Sequence, residues 1–383
     1  MIYADNAATT RISDRAFEQM LPFLRDQYGN ASSQYSFGVK AKRAVEKARG
    51  QVAMAIGAEP SEITFTSGGS ETNSWVLRGV ADAYAVKPIH IIVSSIEHHS
   101  ILNTCHALEK KGAEVTFIPV NKAGCVSVNA VKAAIKSCTR LVSIMFANNE
   151  IGTVEPIEEI GRFLKDENIL FHTDAVQAVG HIPVNVKKLR VDFLTASAHK
   201  FNGAKGTGIL YKRSGVELLP LVYGGEQEQG LRSGTENVAG IVAAGYALEE
   251  SVKEMIDVSK RLKAMVEDTV IGIKERIPTV KVNGDSECCL PGMVNLGFDG
   301  VSGESLMHLL DLKGICVSTS SACTSGSDEP SHVLLAIGLS KQQAKSAIRI
   351  SYGRDNTAEE VKAIVKAVCD AYAKAIAASD FTC

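Results

Sequence analysis

Residues 169–200 read ILFHTDAVQAVGHIPVNVKKLRVDFLTASAHK. Two short apolar runs stand in this stretch, Ile169–Thr173 and Phe193–Ser197, and both read as strands. Each is followed at once by residues that carry chemistry: Asp174 and Gln177 after the first, His199 and Lys200 after the second. In open α/β sheets ligands collect at the carboxyl ends of strands. The stretch therefore points both to a layered fold and to the edge of it where a site would lie.

The same alternation extends outward. Strands are expected at 63–66, 89–94, 115–120, 141–147 and 208–211, with helices at 71–84, 100–111, 128–136 and 156–166. Strand and helix in turn predict an α/β fold with a mostly parallel central sheet, and its buried strands explain unbroken runs such as IHIIV and LVSIMF. Upstream, residues 38–56 have helical spacing, with Val45, Ala48, Val52 and Ile56 near one face. Downstream, a helix at about 237–276 links to a smaller C-terminal α+β unit, with strands at 280–283, 293–298, 315–318 and 347–351 and helices at 303–312 and 358–377. The segment 318–331, STSSACTSGSDEPS, has the composition of an exposed loop.

The 383 residues suffice for two domains, and 45% hydrophobic with 22% charged residues is ordinary globular usage. A net charge of −2, from 41 basic and 43 acidic residues, gives no support for direct nucleic-acid or membrane-surface binding. No apolar run is long enough to span a bilayer, and the first residues lack a signal-peptide pattern. Nine scattered cysteines without a CxxC pair read as reduced thiols of a cytoplasmic protein, and their spacing disfavours a structural metal site.

Four local features carry chemistry, and each has an ordinary reading beside the functional one. Ser67-Gly68-Gly69-Ser70, between a strand and a helix, is either a phosphate cradle or a plain helix start capped by Ser67 or Ser70. Asp174 is either the partner of a protonated ring nitrogen or a cap. Lys200 is either a Schiff-base amine, activated if His199 is protonated, or a solvated lysine. Cys323 is either a reactive loop thiol or an incidental one. Together the first three meet the needs of pyridoxal phosphate: a phosphate site, a carboxylate for the ring nitrogen and a lysine for the aldehyde.

Ten segments in order, YADNAATT, YGNASSQYSFG, FTSGGSETN, EHHSILNTC, FANNEIG, FHTDAVQAVG, SAHKFNGAKGTGILY, GLRSGTEN, SSACTSGSDEPSHVL and AIRISYGR, run through nearly the whole chain. In these the chain resembles the cysteine desulfurases of the NifS/IscS type, within the class-V aminotransferases. The resemblance implies the fold-type I architecture of pyridoxal-phosphate transferases. It implies a large domain at 15–255 and a small one made of 1–14 and 256–383.

By the same resemblance Lys200 would form the Schiff base, with Asp174 on the ring nitrogen and Gln177 on the ring hydroxyl. His98 would stack on the ring and act as acid or base. Gly69, Ser70, Ser197 and His199 would hold the phosphate. Thr235 would reach the phosphate of a second subunit, which implies a homodimer. Asn149 and Arg349 would bind the carboxylate of L-cysteine, and Cys323 would take its sulfur for a sulfur-acceptor or iron–sulfur scaffold protein. The loop around Cys323 resembles the family's long-loop class. Tyr35 and Ala31 depart from the family's usual His and Pro, which bears on substrate access and acceptor choice. The products of the pathway, iron–sulfur clusters or thiolated cofactors and tRNA, are left open. A selenocysteine lyase, a cysteine-sulfinate desulfinase and an inactive sulfur carrier on the same fold are the alternatives.

Overall fold

The computed structural model describes residues 1–84, 88–319 and 329–379. Its centre is a seven-stranded sheet. From one edge to the other the strands are Ile63–Thr66, Gly208–Lys212, Phe193–Ser197, Leu170–Asp174, Thr139–Ser143, His90–Ser94 and Glu114–Ile118. The last five run parallel, and Gly208–Lys212 is antiparallel to both of its neighbours. All five residues of His90–Ser94 and of Phe193–Ser197 are buried, as strands covered on both faces must be.

Helices supply the cover. Ser36–Ile56 turns Val45, Ala48, Val52 and Ile56 into the core, the face read from their spacing. It packs on the 37-residue helix Val238–Lys274, as does the helix Asp14–Arg25. On the other face, Gly69–Ala83 and His99–Glu109 pack against each other over Trp75, Ile91, Val93 and Leu210.

A second apolar core lies apart from these. It joins Leu262, Leu296, Leu306, Ile348, Ile350, Ile364 and Val368 with Ala4 from the N-terminal segment. Its sheet has the order Ser318–Thr319, Ala347–Ser351, Met293–Gly297 and Lys281–Asn283, all antiparallel. The single strand expected at 315–318 is in fact two. Ile315–Cys316 pairs in parallel with Ile2–Tyr3, and Ser318–Thr319 joins the four-stranded sheet. A two-residue change of partner leaves no trace in a hydrophobicity pattern.

One buried ion pair fixes an edge of the large sheet. Arg49 and Glu228 form two bonds, of 2.7 and 2.9 Å, and both side chains are buried. Arg49 also donates to Ile63 O, and Glu228 accepts from Phe65 N. The pair thus occupies polar groups of an edge strand and pins the turn Gln227–Gly230 to it. Arg49→Ala leaves a buried carboxylate uncompensated, and urea unfolding is expected to show a loss of about 3–5 kcal/mol.

Candidate active site

The helix Gly69–Ala83 begins directly beyond the edge strand Ile63–Thr66. Its N-cap is Gly68, with no side-chain cap, so neither Ser67 nor Ser70 caps it as the ordinary reading supposed. Ser67 instead donates to Glu71 through both its backbone N–H and its hydroxyl. An uncapped helix start keeps N–H groups and positive dipole available to an anion. A Cβ at Gly69 would come within 2.9 Å of Val176 Cγ2.

Asp174 ends its strand and is buried. Oδ1 accepts from Val176 N at 3.0 Å and Oδ2 accepts from Asn73 Nδ2 at 2.6 Å. The next helix begins only at Val186, so Asp174 closes a turn rather than capping a helix as the ordinary reading supposed, and Asn73 fixes its other oxygen. Lys200 ends the short 3₁₀ turn Ala198–Lys200 after its strand. Its Nζ donates to Ala7 O at 2.6 Å and Ala8 O at 2.7 Å, so it is no solvated surface lysine. Gln177 Nε2 donates to the same Ala7 carbonyl at 2.9 Å.

His98 caps the helix His99–Glu109, with Nδ1 accepting from Ser100 N. Burial pushes its pKa down, Lys200 and His99 push the same way, and Asp174 opposes them. His98 is therefore neutral at pH 7 and able to take a proton. Burial, with Lys200 and Lys205, lowers His199 to about 4. His199 is then uncharged, and the activation of Lys200 by a cationic His199 drops out. Arg349 lies in the buried strand Ala347–Ser351. Its Nη1 donates to Asn149 O at 2.6 Å and its Nη2 to Asp5 Oδ1 at 2.6 Å.

Ten of the residues singled out in the sequence line one cavity of about 300 Å³: Gly69, Ser70, His98, Asn149, Asp174, Gln177, Ser197, His199, Lys200 and Arg349. A larger open groove of about 860 Å³, beside the helix Ile157–Asp166, holds none of them. Converging polar and titratable groups, rather than volume, mark the first as the site.

With that geometry in place, comparison with known proteins is decisive. The class-V aminotransferase model matches residues 2–364. The chain belongs to the cysteine desulfurases of the class-V aminotransferase family. It is 49% identical to a cysteine desulfurase IscS of Clostridium botulinum, over 95% of this chain and 92% of that one. It is 48% identical to another of Methanosarcina thermophila, over 96% and 91%. A NifS-like protein of known structure superposes with a TM-score of 0.91 at 41% identity, covering 96% of this chain and 98% of the other. This desulfurase is thus a pyridoxal-phosphate-dependent enzyme of fold type I.

Three expected positions that the structure describes, Thr235, Tyr35 and Ala31, do not line the cavity. Thr235 and Tyr35 are exposed and Ala31 is buried. Cys323 lies outside the described residues. Conversely, the reading by residue type missed Ala7, Ala8 and Asn73, which also line the cavity. Asn73 had a signal: it follows Gly69 by four residues and Ser70 by three, on the same helical face. Ala7 and Ala8 act through their carbonyls, which every residue has, so no residue-type pattern could mark them.

Among the described residues no helix is long and apolar enough to cross a membrane.

Proposed function

We propose that this desulfurase converts L-cysteine to L-alanine, with the sulfur passing to Cys323 as a persulfide and then to an acceptor protein of iron–sulfur cluster or thiocofactor synthesis. The observation that carries the reading is the convergence of Lys200, Asp174, His98 and Arg349 on one cavity, in a chain 49% identical to a cysteine desulfurase.

The residues present suit pyridoxal 5′-phosphate. The uncapped helix start at Gly69 and Ser70, with Ser197 and His199 beside it, offers a phosphate cradle. Asp174, buried and fixed by Asn73 and Val176, would hold a proton on the ring nitrogen. Gln177 would meet the ring hydroxyl. When bound, the cofactor supplies an electron sink for the substrate's Cα.

The chain's own groups do the rest. Lys200 is the amine for the aldehyde and, once released, the base at Cα. His98, neutral at pH 7, accepts the proton of the substrate's thiol or ammonium group. Arg349 and Asn149 orient the carboxylate. Cys323 accepts the sulfur, and the carbon skeleton leaves as alanine. Thr235, exposed on its own chain, reaches the phosphate of a second subunit, so the working form is a homodimer. The apolar core that joins Ala4 with residues between Leu262 and Ala371 supports a division into residues 15–255 and 1–14 with 256–383. Seven free cysteines among the described residues suit a reducing cytoplasm.

The test is assay of the purified holoenzyme with L-cysteine and a reducing thiol. Alanine and sulfide are expected in equal amounts, faster than alanine from selenocysteine or cysteine sulfinate. A faster reaction with either of those would move the assignment to that substrate. A cofactor-loaded protein that makes no alanine from any of them would overturn it.

A further inference from the structure

Arg349 is a buried cation whose guanidinium is already half engaged. Its side chain is 4% exposed. Nη1 is held by Asn149 O and Nη2 by Asp5 Oδ1, both at 2.6 Å. Nε is buried and is the one nitrogen of the three with no partner. Leaving such a donor unpaired is costly unless a ligand arrives to pair with it. The anion expected in this cavity is the substrate's carboxylate.

Asp5 is itself firmly placed. It bridges Ser351 in the strand that carries Arg349, while Asn6 N donates to Ser351 O and Ser351 N to Ala4 O. These backbone bonds hold the N-terminal segment without help from the Asp5 side chain, so the carboxylate is spare for Arg349. Asp5 does not line the cavity. Glu150, the other acid near Arg349, is raised to about 7 by burial and accepts from Ser331 Oγ instead. Asp5 is thus the carboxylate in direct contact with the guanidinium.

Resting on the reading of Arg349 as the carboxylate ligand, we propose that Asp5 is a positioning residue. It holds Nη2 and so fixes the guanidinium for the substrate's carboxylate. It also compensates the buried charge while the cavity is empty. A fork held in advance loses less freedom on binding and meets both carboxylate oxygens in register. The alternative physical effect is competition, with Asp5 occupying a donor that the substrate needs. The two effects have opposite signs.

Calorimetric titration of the holoenzyme with 3-mercaptopropionate, which has the thiol and carboxylate but no amine, separates them. Asp5→Ala is expected to weaken binding about tenfold, and Asp5→Asn, which keeps an oxygen for Nη2, to stay within about threefold of the unmodified protein. The KM for L-cysteine should rise in parallel, with kcat changed by less than about threefold. Cysteamine, which lacks the carboxylate, should bind all three proteins alike. Unchanged or tighter binding of 3-mercaptopropionate by Asp5→Ala would overturn the proposal, as would equal weakening of cysteamine. Equal loss in Asp5→Asn and Asp5→Ala would assign the effect to charge and overturn the aiming role. Arg349→Lys distinguishes the underlying reading. If it leaves 3-mercaptopropionate binding intact, Arg349 is not the carboxylate ligand. If it weakens binding while Asp5→Ala does not, only the role of Asp5 fails.

Discussion

Lys200→Ala is expected to lower the rate of alanine formation from L-cysteine by about 10⁴-fold or more, because one side chain serves both as the nucleophilic amine and as the base. No second amine can stand in: Lys200 is the only lysine among the described residues that line the cavity. Its Nζ donates to the carbonyls of Ala7 and Ala8. These two acceptors orient the amine. Lys200→Arg should be as inactive as Lys200→Ala, since a guanidinium keeps the positive charge but is neither nucleophile nor base at pH 7. The measurement is alanine release under single-turnover conditions, with cofactor content checked independently. Activity within tenfold of the unmodified protein would remove Lys200 from the reaction.

Cys323→Ala is expected to abolish both alanine formation and the persulfide, read as a mass increase of one sulfur atom on the chain, while cofactor binding is retained. The described flanks of residues 320–328 lie against Arg349, which lines the cavity, and against Glu150 and Glu97, the chain neighbours of the lining residues Asn149 and His98. Ser318 is paired with Arg349, Ser331 Oγ donates to Glu150 at 2.5 Å, and His332 Nε2 lies 3.0 Å from Glu97 O, the neighbour of His98. Other thiols are poor substitutes. Burial pushes Cys105 and Cys125 up to about 12, so almost none of either is thiolate at neutral pH. Cys125→Ala should therefore leave turnover unchanged. A Cys323→Ala protein that still formed alanine at the normal rate with a reducing thiol present would refute the nucleophile.

Most of the central sheet could be read in advance because its strands are short, apolar and β-branched, and end at turn residues. His90–Ser94, Leu170–Asp174 and Phe193–Ser197 fall within a residue of expectation. The helix Asp14–Arg25 could not. It carries Pro22, and its large apolar residues Phe17, Leu21 and Leu24 face outward, against the pattern that marks a core-facing helix. The strand expected at 141–147 is Thr139–Ser143, and beyond it Ile144 N and Phe146 N still donate to His172 O and Asp174 O of the neighbouring strand. Ile144–Ala147 are buried, and Met145 and Ala147 of this run line the cavity, so the apolar pattern continues past the assigned end of the strand.

The amino-acid sequence by itself determined the layered α/β plan, the strand ends that bear Asp174 and Lys200, and the family. Each of these is written in side-chain type and spacing within a few dozen residues. Only the tertiary structure decided the state of those residues. It brings the carbonyls of Ala7 and Ala8 to a lysine more than 190 positions away, and Asp5 to an arginine 344 positions away. It also encloses His199 so that the imidazole stays uncharged. The physical reason is common to all three. A backbone carbonyl has no signature in sequence, and desolvation and charge pairing depend on what surrounds a group in space.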